Sequence, residues 1–260
     1  MLSENELVML VDRKGKKYII ELKKGKSFEF HKGKVMHDEI LKKGIGERVL
    51  TSTGEELLIL KPMLADFVLK KLKRASQIIY PKDIGQILVL ADVFNAAKVL
   101  EVGTGSGALT LYLLKAAKGK VVSIDEREDM IKTATKNIEA FYGKKLREIK
   151  NLTLKKENLA NLKEKGFDRI ILDLPNPWDY LEKIKEILND GGIVACWLPT
   201  VMQVFKLVDS IEKDSSFVLT GIYETLQREW QKRDIALRPK DRMIAHTGFL
   251  IVFRKIKSKR

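Results

Sequence analysis

The stretch "VLEVGTGSGALTLYL", Val99 to Leu113, decides how the rest of the chain is read. Two stiff residues, Val99 and Val102, lead into three glycines at alternate positions, Gly103, Gly105 and Gly107. A helix-compatible series, Leu109, Leu111, Leu113 and Leu114, follows. The order is strand, tight turn, helix. Glycine permits positive φ and close approach of a ligand, and a helix start presents unpaired N–H groups, so the turn reads as a nucleotide-type cofactor site. Because Gly103-x-Gly105-x-x-Ala108 also satisfies the relaxed dinucleotide fingerprint, an NAD enzyme is an open alternative. Downstream, "GKVVSIDERED" reads as a second buried strand, Val121 to Ile124, ending in Asp125, whose carboxylate can accept from both hydroxyls of a ribose. Either cofactor suits it. A plainer reading makes the glycines a tight turn and Asp125 an exposed helix-start acid; the coincidence of context and downstream acid favours the cofactor.

At 260 residues with 45% hydrophobic content, the chain can bury a full α/β core and carry a smaller accessory domain. No segment has the apolar length of a membrane span, and "MLSENELVML" has acids where a secretory signal has bases, so a cytoplasmic location without a membrane partner is expected. The single cysteine, Cys196 in "GGIVACWLP", cannot by itself form an intrachain disulfide or a zinc cluster; it reads as core, and no metal is expected. Lys and Arg total 49 against 35 Asp and Glu, a surplus of +14 that favours a polyanionic partner, nucleic acid first. A Lys/Glu-rich thermophile surface would account for part of this.

Residues 1–60 hold short alternating or apolar runs, "LVMLV", "KYIIEL", "SFEFHKG" and "ELLIL", which predict a small antiparallel β domain. In "KPMLADFVLKKLKR", Pro62 stands near a helix entry and Leu64, Phe67, Val68 and Leu72 share one face, predicting a linking helix within 61–74. From there, 75–260 alternates helix and strand, the pattern of a mainly parallel sheet covered on both faces. The final segments "FVLTGIYETLQREWQ" and "MIAHTGFLIVFRK" read as two strands with no helix between them, an antiparallel edge pair.

In "RIILDLPNPW", four apolar residues lead to Asp173, and two prolines then force a rigid loop. Asp173 is thereby placed at the carboxyl end of a central strand, facing the same crevice as the glycine turn. As an isolated residue it also suits a turn or helix cap.

With these stretches in hand, the chain resembles the tRNA (adenine-N1)-methyltransferases that modify the T-loop adenosine 58, and in archaeal members also 57. The resemblance runs over nearly the whole length, through "HDEILKKGIGERVLTSTGEELLILKP", "QIIYPKDIGQI", "EVGTGSGALTL", "ILDLPNPW" and "RPKDRMIAHTGFL". The glycine string is common to many methyltransferases, whereas the tyrosine-proline-lysine-aspartate and histidine-threonine-glycine stretches are specific. The resemblance implies an α/β Rossmann-like class I S-adenosylmethionine-dependent methyltransferase, a β-barrel-like N-terminal domain and a homotetramer acting on tRNA. It implies that Gly103, Gly105, Ser106, Gly107, Ala108 and Leu109 cradle the methionine part of S-adenosylmethionine and that Asp125 takes its ribose. Ile79 and Tyr80 would lie beside cofactor and target base, and Asn158 and Leu159 at the adenine ring. Many relatives carry an acid where this chain has Asn158. Arg242, His246 and Thr247 would line the target pocket; taken alone, His246 reads equally as a hydrogen-bonded histidine on a core strand.

Methyl transfer to adenine N1 depends mainly on positioning, because it needs little acid-base help. Positive charge spreads into the ring as N1 attacks, so a carboxylate accepting from the N6 amine gains strength in the transition state. Asp173 is the candidate, with Tyr80 as the aromatic against which a flipped base would rest. The NAD reading lacks a Tyr-x-x-x-Lys or His-Asp arrangement in the right region. A non-catalytic tRNA-binding subunit would have no need of intact Gly103, Gly105, Gly107, Asp125 and Asp173.

Overall fold

A computed structural model describes residues 2–257; residues 1 and 258–260, at the outer ends of the two predicted domains, lie outside the described residues. The chain divides into two units, Met1–Lys73 with Asn137–Glu148, and Arg74–Lys136 with Ile149–Arg260.

In the first unit the short alternating runs form β1 (Leu7–Val11), β2 (Lys17–Glu21), β3 (Ser27–Phe30), β4 (Gly33–Met36), β5 (Arg48–Leu50) and β6 (Glu56–Leu60). All pairings are antiparallel: a four-stranded sheet in the order β2-β1-β6-β5 and a separate β3-β4 hairpin. Period-two alternation sends Leu57 and Ile59 of β6 inward to meet Val8 and Leu10, and the rings of Tyr18, Phe28 and Phe30 pack on this core. A short helix, α1 (His37–Leu41), follows β4, where the sequence reading had only strands. Its His37 is buried, with Nδ1 accepting from the Lys23 N–H at 2.9 Å.

Helix α2 (Leu64–Lys70) has the predicted face, with Leu64, Phe67 and Val68 buried. It belongs to the first unit, so the contiguous division 1–60, 61–74 and 75–260 differs from the structure. The cause is packing from far along the chain: Phe67 meets Phe141 edge-on at 5.1 Å, and the buried Asp66 pairs with Lys17 at 2.9 Å.

The second unit runs α3 (Pro81–Leu90), β7 (Lys98–Val102), α4 (Ala108–Ala116), β8 (Lys120–Asp125), α5 (Glu128–Tyr142, whose last turns enter the first unit), β9 (Leu152–Lys156), β10 (Phe167–Leu172), α6 (Leu181–Ile187), β11 (Leu188–Leu198), α7 (Val201–Glu212), β12 (Phe217–Glu224), β13 (Trp230–Arg233), β14 (Ala236–Pro239) and β15 (Phe249–Lys255). Seven strands form one sheet in the order β12-β15-β11-β10-β7-β8-β9. Neighbours from β11 to β9 are parallel, and β15 is antiparallel to both β11 and β12. The mainly parallel sheet read from the alternation therefore stands, antiparallel pair included, in keeping with the Rossmann-like α/β class that the resemblance implies. Continuous apolar strands such as "RIIL" follow from burial on both faces. Cys196, on β11, is fully buried, which pushes its thiol pKa up.

The β13-β14 hairpin departs from the single strand expected over "FVLTGIYETLQREWQ". After Glu224 the chain leaves the sheet and turns back at Asp234, with φ +51°. Both hairpin strands are largely exposed, so no inward-outward alternation marks them.

Replacing Phe67 by Ala should remove the ring that joins α2 to Phe141, costing about 3–5 kcal/mol. Urea denaturation measures this, and an unchanged midpoint would contradict the packing.

Candidate active site

The sheet order reverses between β7 and β10, so the crevice at their carboxyl ends is the expected binding place in an open α/β sheet. There the Asp173 N–H donates to the Val102 carbonyl at 2.9 Å. Gly103 has φ +92°, and a Cβ on it would lie 2.4 Å from the Asp173 carbonyl oxygen. What excludes a side chain here is the chain's own backbone rather than a ligand. Gly107, φ +80°, abuts Ala134 and precedes α4. The Gly105 N–H donates to Asp125 Oδ2 at 3.0 Å.

A cleft of about 480 Å³ opens over this turn, lined by Gly103, Gly105, Asp125, Asn158, Leu159 and Asp173 of the sequence-predicted residues. Beside it, a small recess shares Gly103, Gly105 and Asp173 and adds Ile79, Ser106, Ala108 and Leu109. The structure thus brings every predicted cofactor residue except Gly107 to one of two hollows. Tyr80, Arg242, His246 and Thr247 line neither. Tyr80 precedes α3, with the Arg74 guanidinium 6.0 Å from its ring centre.

Acids dominate the cleft: Asp125, Glu126, Glu157 and Asp173 against Arg127. Asp125 accepts from two backbone N–H groups, those of Gly105 and Arg127 at 3.0 and 2.9 Å. Burial, with the neighbouring Asp125 charge adding to it, raises the Asp173 carboxyl to about 7. Glu101, which sequence reasoning missed, lies beneath the turn and is fully buried; that burial raises it to about 8, although the Thr110 hydroxyl donates to its Oε2 at 2.6 Å. Among the described residues its Oε1 is buried without a hydrogen-bond partner. The available signal was an acid inside an otherwise apolar strand, "VLEV". Asn158 has both ends engaged: Oδ1 accepts from the Ala160 N–H and Nδ2 donates to Glu126 Oε2, at 2.9 and 3.0 Å.

The "YPKD" and "HTG" stretches meet elsewhere. Lys82 Nζ donates to Asp83 Oδ1, the Thr225 carbonyl and Thr247 Oγ1 at 2.7, 2.6 and 2.7 Å, and Thr247 Oγ1 donates to Asp83 Oδ2 at 2.8 Å. His246 Nε2 faces the Pro199 carbonyl at 3.0 Å and Nδ1 faces Glu224 Oε1 at 2.7 Å. The carbonyl first, then the carboxylate, raises the imidazole pKa.

The donor set discriminates between cofactors. A pyrophosphate at this turn would face Asp125 and Asp173, and one N–H it needs, that of Gly105, already serves Asp125. A cationic ligand carrying a sulfonium and an ammonium fits the same acids.

Two family models match: one described as "tRNA methyltransferase complex GCD14 subunit" over residues 57–254, and "TrmI-like N-terminal" over residues 1–49. The chain is 36% identical over 255 residues to a tRNA (adenine(58)-N(1))-methyltransferase TrmI of Thermus thermophilus, covering 96% of this chain and 97% of that protein. It is 34% identical to a tRNA (adenine(57)-N(1)/adenine(58)-N(1))-methyltransferase TrmI of Methanocaldococcus jannaschii, covering 95% and 94%. A solved structure described as a SAM-dependent O-methyltransferase of Thermotoga maritima superposes with a TM-score of 0.91 at 32% identity, covering 100% and 96%.

Glu101→Gln tests the buried acid. In the unfolded chain Glu101 titrates near 4.5 and in the folded chain near 8, so the native state holds the extra proton. Its contribution is present below pH 4.5 and is lost as pH rises toward 8. Thermal melts should therefore show the variant gaining on the parent by several degrees between pH 5 and pH 8. A pH-independent difference would rule out the raised value.

Proposed function

The chain belongs to the tRNA methyltransferase family of the GCD14 subunit and TrmI, and from that premise we propose that it methylates N1 of the T-loop adenosine 58 of tRNA. The observation that carries this reading is a buried carboxyl, Asp173, held beside the glycine turn in an acid-lined cleft. When bound, S-adenosylmethionine supplies a methyl group on a sulfonium. The turn from Gly103 to Leu109 holds its methionine part, with Gly107 shaping the entry to α4; Asp125 takes the ribose, Asn158 and Leu159 the adenine, and Ile79 closes the recess. Asp173 accepts from the N6 amine of the target adenine, stabilising the charge that grows as N1 is alkylated. Tyr80, Arg242 and His246 receive the flipped base, with Thr247 holding the loop behind them.

The surplus of +14 supports tRNA as partner, and we place the protein in the cytoplasm as a homotetramer. Val201, Met202 and Phe205, exposed along α7, support burial of that face on association. Among the described residues no helix is long and apolar enough to cross a membrane. A carboxyl poised near 7 would also suit removal of a hydroxyl proton, the chemistry in the Thermotoga neighbour's description. The product separates the two.

Mass-spectrometric mapping of unmodified tRNA incubated with protein and cofactor should show 1-methyladenosine at position 58; methylation at 57 as well would mark a dual-site enzyme, and a 2′-O-methyl product would refute the N1 assignment. At saturating cofactor, Asp173→Asn should slow single-turnover methylation by about 10²–10³-fold, with tRNA affinity little changed. Parent kcat/KM should rise with pH as Asp173 ionises near 7 and level off above it, and the variant should lose this rise. A variant with the parent's rate would remove Asp173 from the mechanism. Affinity for tRNA should fall steeply with salt.

A further inference from the structure

We propose that Lys82 is a positioning residue for the RNA substrate: its ammonium closes the neck of the excursion from Thr225 to Thr247 and so fixes how that excursion meets tRNA. This rests on the reading of tRNA as substrate.

The excursion leaves the sheet at the end of β12 and returns just before β15, carrying the β13-β14 hairpin. One nearly buried ammonium holds both of its roots, through the Thr225 carbonyl and the Thr247 hydroxyl, and its remaining N–H meets the fully buried Asp83. All three donors of Lys82 are thereby used. Thr247 closes the ring by donating to Asp83. One residue earlier in each segment, His246 and Glu224 form a second rung across the same neck. The neck is anchored on the first turn of α3, directly after Ile79 and Tyr80, and Ile79 lines the recess beside Asp173. A buried ion pair is weak evidence for stability, since apolar residues of like volume often serve as well. What Lys82 supplies that an apolar side chain cannot is a directed link to two chain segments at once.

The excursion exposes apolar side chains, Leu226, Ile235 and Leu237 among them, beside its basic residues. Of its six basic residues, Arg238 and Lys240 pair with Asp241 and Glu229. Arg228, Lys232, Arg233 and Arg242 make no ion pair among the described residues. Trp230 is 59% exposed among them. Unpaired cations interleaved with an exposed aromatic suit phosphate contact and base stacking.

The test is Lys82→Met in the full-length protein, read by hydrogen exchange, calorimetry and steady-state kinetics. Amides of 226–246 should exchange about tenfold faster than in the parent while β7 and β10 keep their protection. S-adenosylmethionine affinity should stay within about twofold, and the tRNA KM should rise about tenfold with a smaller fall in kcat. Parent-like exchange in 226–246 would overturn the clamp. Faster exchange with the parent's KM would overturn the positioning role and leave the network purely structural. If Lys82→Met does not fold, Thr247→Val, which keeps the shape and removes only the hydroxyl link, should give the same pattern in weaker form, and its absence would count equally against the proposal. A parent that makes no 1-methyladenosine would sink the substrate reading on its own, and the exchange result would still decide the neck.

Discussion

Two strand ends, β7 at Gly103 and β10 at Asp173, approach more closely than one methyl group would allow. Much of the second unit depends on that approach. It pins the parallel pair at which the sheet order reverses, sets the turn from which α4 departs, and aims the Asp173 side chain into the crevice instead of along the strand. Because the constraint is between backbones, it is in place before any ligand binds. Preorganisation of this kind is what positioning chemistry needs, since a group already held at the reacting edge has no reorganisation left to undergo.

Charge is divided between surface and crevice. The chain carries +14 overall, yet its cleft is lined mainly by carboxylates. A polyanion is thus drawn to the outside by a field it cannot follow into the cleft, while a small cation finds the reverse. Burial sharpens the inner half of this arrangement: Glu101 and Asp173 hold protons near neutrality because the low-dielectric interior penalises several adjacent negative charges. Arrival of a cation would release that penalty, so the cleft's acids respond to occupancy as well as to pH.

The glycine turn, Asp125 and Asp173 were legible because their placement depends on local order: a strand, a stop, a helix. The parallel sheet and its antiparallel end were legible for a related reason, the alternation of apolar runs along the chain. What escaped was set by distant partners. Helix α2 is recruited by Phe141, and Thr247 is turned toward a lysine 165 residues away instead of lining a hollow. Glu101 was visible as an acid in an apolar strand, but its raised pKa comes from burial and from Asp173 and Asp125 converging in space, against the Thr110 hydroxyl. The β13-β14 hairpin escaped because neither of its faces is buried enough to impose a pattern.

The insertion of β15 between β11 and β12 also governs the order in which the sheet can be completed during folding. Among the described residues strand β12 pairs only with β15, so its backbone groups remain unpaired until Phe249–Lys255 has docked. For that interval the folding chain presents two open edges, β11 and the waiting β12, and both are templates for pairing with a neighbouring chain. Loss of β15 would leave both edges open, so a chain without it is exposed to edge-to-edge aggregation.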